Sequence, residues 1–98
     1  MESLVIPDGV TEIGEGAFEG CSSLESVVLP EGVKKIGRGA FAESGLEAVT
    51  LPSSVEQVGE HAFSDCDNLE TALLPAGLNA KLQTHFKNCP KLKEIMRY

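Results

Sequence analysis

The feature that most restricts this chain is that it repeats itself. Phe18, Phe41, Phe63 and Phe86 recur at gaps of 23, 22 and 23 residues. An apolar-Pro pair keeps the same gaps at Ile6-Pro7, Leu29-Pro30, Leu51-Pro52 and Leu74-Pro75, and a third row runs Leu24, Leu46, Leu69 and Leu92. Three rows in step define a unit of about 23 residues, a period that belongs to stacked architectures. Superposed, the units read L-x-x-V-x-L-P-x-x-V-x-x-I-G-x-x-A-F-x-x-C-x-x.

Each piece has a physical reading. In Leu24-Glu25-Ser26-Val27-Val28-Leu29-Pro30 the apolar anchors are Leu24, Val27 and Leu29. Val27 and Leu29 keep the two-residue period of a half-buried strand. Pro30 has no N–H for a ladder and ends it. Gly32-Val33 and Ile36-Gly37 carry the chain back, and Gly39-Ala40-Phe41 is long enough for one helical or 3-10 turn, with Phe41 filling the interior. Such a unit cannot bury its apolar side alone. Stacking puts Leu on Leu, Val on Val and Phe on Phe.

The L-x-x-V-x-L-P and I-G-x-x-A-F-x-x-C pieces resemble the BspA-type leucine-rich repeat, a class of bacterial surface and secreted proteins. The resemblance spans nearly the whole chain, as a first partial unit and roughly four repeats. The Pro after the strand and the A-F-x-x-C turn separate it from other leucine-rich repeats, whose Asn ladder is missing here. It implies an α/β repeat solenoid: a right-handed coil with a parallel concave β-sheet and short helical or 3-10 turns. It further implies recognition or adhesion at the cell surface or outside the cell, and no active site.

The units depart from the consensus in places. Residues 1–75 read as repeat coils, with a partial first strand and then units at 24–45, 46–68 and 69 onward. Residues 76–98 read as a degenerate C-terminal cap. There Lys81 stands where Ile13, Ile36 and Val58 stood, Thr84 and His85 replace the Gly and Ala of the turn, and the chain ends in charge and Tyr98. The second unit is one residue short between Phe41 and Leu46, so Gly45 is expected to supply the φ > 0 of a tighter bend. At the other end Leu4, Ile6, Val10, Ile13 and Phe18 form a coil with no partner above it. Its apolar side and strand edge are expected to be exposed and to invite self-association.

Composition excludes several functions. Fifteen acidic against eight basic residues give a net charge of −7, which repels a phosphate backbone and argues against nucleic acid. No apolar run approaches the about 20 residues of a membrane span, and no basic-then-apolar signal peptide opens the chain. Cys21, Cys66 and Cys89 share one repeat position, with Ser44 in the corresponding turn of the short unit. They read as a ladder of buried thiols; a Cys66–Cys89 disulfide is within reach of one coil spacing, but ladder side chains run parallel. No C-x-x-C supports a metal site. His61 and His85 lie on neighbouring coils beside Cys66 and Cys89, yet inward thiols and an outward His61 do not make a nucleophile and its base. Gly14-Glu15-Gly16 and Gly37-Arg38-Gly39 match no dinucleotide or phosphate loop, so no cofactor is implied.

What remains is a surface. Between the anchors, one strand column reads Val5, Val28, Thr50, Leu73 and Met96, and the next Ser3, Ser26, Ala48, Thr71 and Glu94. Beside them run Glu2, Glu25, Glu47 and Glu70, then Lys93. Carboxylates about 5 Å apart repel by about 0.8 kcal/mol per pair in water, less with salt. The row is either a solvated rim that discourages strand pairing or a docking stripe for a basic partner or a cation. The expected function is non-catalytic binding of a protein on the concave face, centred on Val28, Thr50 and Leu73 with Glu25, Glu47 and Glu70 at its edge. The alternative is a structural spacer within a longer surface array.

Overall fold

The computed structural model describes residues 2–78 and 85–98. Eight short strands follow in order: β1 (Glu2–Val5), β2 (Glu12–Ile13), β3 (Leu24–Val28), β4 (Lys35–Ile36), β5 (Ala48–Thr50), β6 (Gln57–Val58), β7 (Thr71–Leu74) and β8 (Glu94–Arg97). Every pairing is parallel and joins a strand to its equivalent in the next coil, so the chain is a β-solenoid of about four turns. The anchors explain the strands. Leu24, Val27 and Leu29 are buried, as are Leu46, Val49 and Leu51, and Leu69, Ala72 and Leu74, while Ser26 and Val28 face outward.

A second parallel sheet, β2-β4-β6, closes the opposite side of the coil. Sequence reasoning passed over it as a return segment. Its register stacks Ile13 on Ile36 on Val58 and leaves Glu12, Lys35 and Gln57 outside. Gly37 follows directly because a Cβ there would stand 2.6 Å from the Glu15 nitrogen of the preceding coil. Lys81 and Thr84, expected to break this pattern in the last unit, lie outside the described residues.

The expected helical or 3-10 turn is not confirmed: no helix is among the described elements. The Phe-bearing segment is a run of i to i+3 hydrogen-bonded turns, such as Ala40 N–H to Gly37 O at 3.1 Å and Ala42 N–H to Gly39 O at 3.1 Å. Helical propagation fails in the first three coils because each carries left-handed residues four positions apart: Gly16 and Gly20, Gly39 and Glu43, His61 and Asp65. The α of the α/β class therefore has no counterpart among the described elements.

The interior column is regular. Phe18, Phe41, Phe63 and Phe86 stack with centroids 5.2, 5.5 and 5.3 Å apart and planes within 11°. Phe41 and Phe63 are fully buried. Backbone bonds between coils hold the spacing: Phe18 N–H to Ala40 O at 2.7 Å, Phe41 N–H to Ala62 O at 2.8 Å and Phe63 N–H to His85 O at 2.9 Å.

Two irregularities shape the concave side. Elsewhere the Leu that opens the strand donates to the Cys carbonyl three residues back, as in Leu24 to Cys21 at 3.0 Å and Leu69 to Cys66 at 3.2 Å. In the short second unit this turn is replaced by a bond to the neighbouring coil, Gly45 N–H to Cys21 O at 3.2 Å. Here the reading of Gly45 is corrected. Its φ is not positive; the left-handed residue of that turn is Glu43, at φ 58°. Gly45 is required because any Cβ would overlap the Ser22 carbonyl oxygen. Past this shortened turn the concave sheet divides into β1-β3 and β5-β7-β8. The other irregularity is a bulge between Glu2 and Ser3 that sets Glu2 against Leu24 rather than Glu25.

At the ends, the N-terminal coil is less open than expected. Ile6 and Ile13 are buried, while Leu4, Val10 and Phe18 are half-buried. Leu4, Val10 and Phe18 pack against the buried cluster and keep part of their surface in solvent. At the other end Arg97 and Tyr98 take the Leu and Pro positions. Tyr98 has the N–H that Pro lacks and donates it to Leu74 O at 2.9 Å, and its hydroxyl donates to Leu51 O. The Arg97 guanidinium donates to the carbonyls of Pro75 and Leu78 at 3.1 and 2.6 Å.

Candidate interaction surface

The concave columns are assembled by parallel pairing, which places equivalent residues side by side. Val5 pairs with Val28 in the first sheet, and Thr50 with Leu73 and Met96 in the second. The neighbouring column runs Ser3 to Ser26, then Ala48 to Thr71 to Glu94. Val5 is 67% exposed, Val28 57% and Met96 44%, values that no core residue approaches. Thr50 is exposed and Leu73 half-buried. Three large apolar side chains are thus held in water on rigid strands.

The acidic row survives the division of the sheet. Glu47 N–H donates to Glu25 O at 3.0 Å, Glu70 N–H to Glu47 O at 2.9 Å and Lys93 N–H to Glu70 O at 3.0 Å, one continuous backbone ladder. Glu25 is half-buried and Glu47 and Glu70 are exposed. Lys93 Nζ lies 3.1 Å from Glu70 Oε1, with both side chains mostly in solvent. An exposed pair of this kind contributes about 0–1 kcal/mol. The stripe therefore comprises Glu25, Glu47 and Glu70, closed by a cation.

Cys21, Cys66 and Cys89 were expected as a ladder of buried thiols, but only Cys66 is buried, and Cys66 and Cys89 donate to backbone carbonyls. Cys66 Sγ donates to Phe41 O at 3.3 Å and Cys89 Sγ to Phe63 O at 3.2 Å, and Ser44 Oγ lies 3.5 Å from Cys66 Sγ. All three cysteines are free; Cys66 is buried, Cys21 and Cys89 half-buried. Hydrogen bonding with Cys89 draws Cys66 down to about 7, burial opposes this, and Ser44 adds to it. The same pairing and burial push Cys89 up. The first proton lost belongs to the pair, and the second is held.

His61 Nδ1 pairs with Ser64 Oγ at 3.1 Å, while Cys66 is engaged with Ser44 and Phe41 O. The outer turns also form a concavity that sequence reasoning missed. An open cleft of about 560 Å³ on the outer turns is lined by Glu15, Glu19, Arg38, Glu43, His61 and Asp65 among others. The left-handed residues of successive turns create it, and conformation at single non-Gly positions leaves no signature in a lone sequence.

Residues 1–97 match the family described as BspA type leucine rich repeat region (6 copies). The chain belongs to the BspA-type leucine-rich repeat family. Its fold is shared by a leucine rich cell surface protein from Faecalibacterium prausnitzii A2-165, at a TM-score of 0.69 and 21% identity over 98% of this chain and 41% of that one. A leucine-rich repeat protein from Bacteroides ovatus ATCC 8483 matches with a TM-score of 0.56 and 31% identity, over 95% of this chain and 30% of that one. The T. pallidum leucine rich repeat protein matches at 0.51 and 24%, over 96% and 68% respectively. The chain thus spans less than half the length of the first two structures. No curated protein matches it. Leucine-rich repeat solenoids are a general protein-interaction fold, and the family is generally non-enzymatic.

Proposed function

We propose that the chain is a non-catalytic protein-binding module whose concave face takes a partner bearing basic side chains. Val28, Thr50 and Leu73 supply contact, and Glu25, Glu47 and Glu70 select charge. The observation that carries this reading is the conjunction of exposed apolar side chains with an unbroken carboxylate ladder along one edge. Apolar groups held in water on a rigid sheet gain on being covered, and the carboxylates accelerate encounter with a basic partner in a salt-dependent way. Arg97 and Tyr98 close residues 76–98 as a cap in the same reading.

Size limits the affinity. Five strands about 4.8 Å apart, each presenting a few residues at about 3.3 Å, offer roughly 300–400 Å². A standard interface takes about 800 Å² per partner. This stretch alone binds weakly, and tight recognition draws on further coils or the outer turns.

Adhesion at a cell surface is the setting this reading favours, since one fold neighbour is a leucine rich cell surface protein. The test uses a panel of Lys/Arg-rich peptides and acidic controls titrated against the folded chain at two salt concentrations. Basic peptides should bind more weakly at high salt, Leu73→Asp should abolish binding, and Glu15→Lys on the outer turn should leave it intact. Binding lost with Glu15→Lys but kept in folded Leu73→Asp overturns the concave assignment. No binding by any peptide favours the spacer.

A further inference from the structure

The thiol row contains one geometry that concave binding does not use. Cys21, Ser44, Cys66 and Cys89 occupy the same place on four successive coils. With Ser44 between them, Cys21 and Cys66 stand two coils apart, about 10 Å, beyond the reach of a disulfide. Cys66 and Cys89 stand on adjacent coils whose backbones are tied together on either side of the row. Asp65 N–H donates to Lys87 O at 2.8 Å and Lys93 N–H to Glu70 O at 3.0 Å. Adjacent coils lie about 4.8 Å apart, inside the about 4.4–6.8 Å Cα separation a disulfide accepts. The two sulfurs are hydrogen-bonded to successive carbonyls of the Phe column, which sets them one coil apart and on the same side. They are close enough for each to govern the other's proton.

We propose that Cys66 and Cys89 form a disulfide that cross-links the third and fourth coils when the protein meets a hydroperoxide or a small-molecule disulfide, while Cys21 stays a thiol. Cys89 is the sulfur an oxidant reaches: it lines an open cleft with Asp65, Asp67, Asn88 and Pro90, whereas Cys66 is fully buried. With hydrogen peroxide, the Cys89 thiolate attacks one oxygen, the O–O bond breaks and hydroxide leaves, giving a sulfenic acid. The Cys66 sulfur then attacks the sulfenic sulfur. Its proton departs with the hydroxyl as water, and the S–S bond forms. The two thiols together lose two electrons and the peroxide gains them. The hydrogen bond with Cys66, then burial and more weakly the Asp65 carboxylate, hold the Cys89 proton, so the first step is slow beside that of an exposed, activated thiol.

The experiment exposes the folded wild-type chain to hydrogen peroxide, then acid-quenches, unfolds and alkylates it for intact mass and peptide mapping. The expected product has lost two hydrogens, is alkylated only at Cys21 and carries a Cys66–Cys89 bridge. Cys89→Ser should retain two alkylatable thiols under the same exposure, whereas Cys66→Ser should form no bridge, with Cys21 alkylatable and Cys89 recovered as thiol or oxygenated sulfur. Serine already occupies this row at Ser44, so both variants fold, and circular dichroism verifies it. Three thiols still alkylatable in the wild type overturn the proposal. So does a bridge through Cys21, or a sulfinic acid at Cys89 with no bridge. If Cys66→Ser loses its Cys89 thiol to a bridge with Cys21, the claimed geometric selectivity also falls.

Discussion

Truncating Phe41 to Ala tests whether the stacked ring column holds the coils together. Phe41 is fully buried, with Phe18 at 5.2 Å on one side and Phe63 at 5.5 Å on the other, both nearly parallel to it. Phe→Ala in a core costs about 3–5 kcal/mol, more where the cavity cannot collapse. Here it cannot: Phe18 and Phe63 are held at coil spacing by their backbone bonds to Ala40 O and His85 O. The expected loss is therefore in the upper part, about 4–5 kcal/mol. Phe18 has one ring neighbour and is half-exposed, so Phe18→Ala should cost roughly half as much, about 2 kcal/mol. The chain has one Tyr and no Trp, so unfolding in urea is best followed by far-ultraviolet circular dichroism. With a slope of about 1–3 kcal/mol/M, the two midpoints should differ by about 0.7–3 M. Total stability of about 5–15 kcal/mol means that Phe41→Ala can unfold the chain outright. Phe41→Leu, which leaves a smaller cavity, keeps the comparison measurable in that event. Equal costs for Phe41→Ala and Phe18→Ala, or a Phe41→Ala cost under about 1 kcal/mol, would refute the reasoning.

Two further outcomes follow from the packing. Gly45→Ala should destabilise by about 1–3 kcal/mol in the same assay, because the new Cβ meets the Ser22 carbonyl; Glu43→Gly, which relieves a left-handed residue, should be near neutral. Light scattering over a concentration series should show self-association that Val5→Lys and Phe18→Lys weaken, since the half-buried rim of the first coil is the apolar edge available to a second copy; a monomer at millimolar concentration would show that rim to be insufficient.

The repeat period, the Leu, Val and Phe columns and the strand ahead of each Pro were legible in the sequence. Each depends on side-chain chemistry that must recur once per coil, and recurrence is visible without coordinates. Val5 beside Val28 and Leu73 beside Met96 follow from counting residues, because parallel stacking maps equal positions onto each other. The thiol row was legible for the same reason.

Other features were decided only in three dimensions. The second sheet at Ile13, Ile36 and Val58 is built from two-residue strands, too short to show a period of their own. The turns are not helical because Gly39, Glu43, His61 and Asp65 adopt left-handed backbone, and nothing in the letters Glu, His or Asp compels that. Ladder bonds to the neighbouring coils over-determine those conformations, as with Gly39 N–H to Glu60 O at 3.0 Å and Glu43 N–H to Ser64 O at 2.9 Å. The missing residue near Gly45 was plain in the sequence, but its effect was not. Whether one deletion is absorbed in a turn or divides a sheet depends on which backbone groups remain in reach. Here Gly45 reaches Cys21 and Glu47 still reaches Glu25, so the sheet divides while the carboxylate row beside it stays continuous.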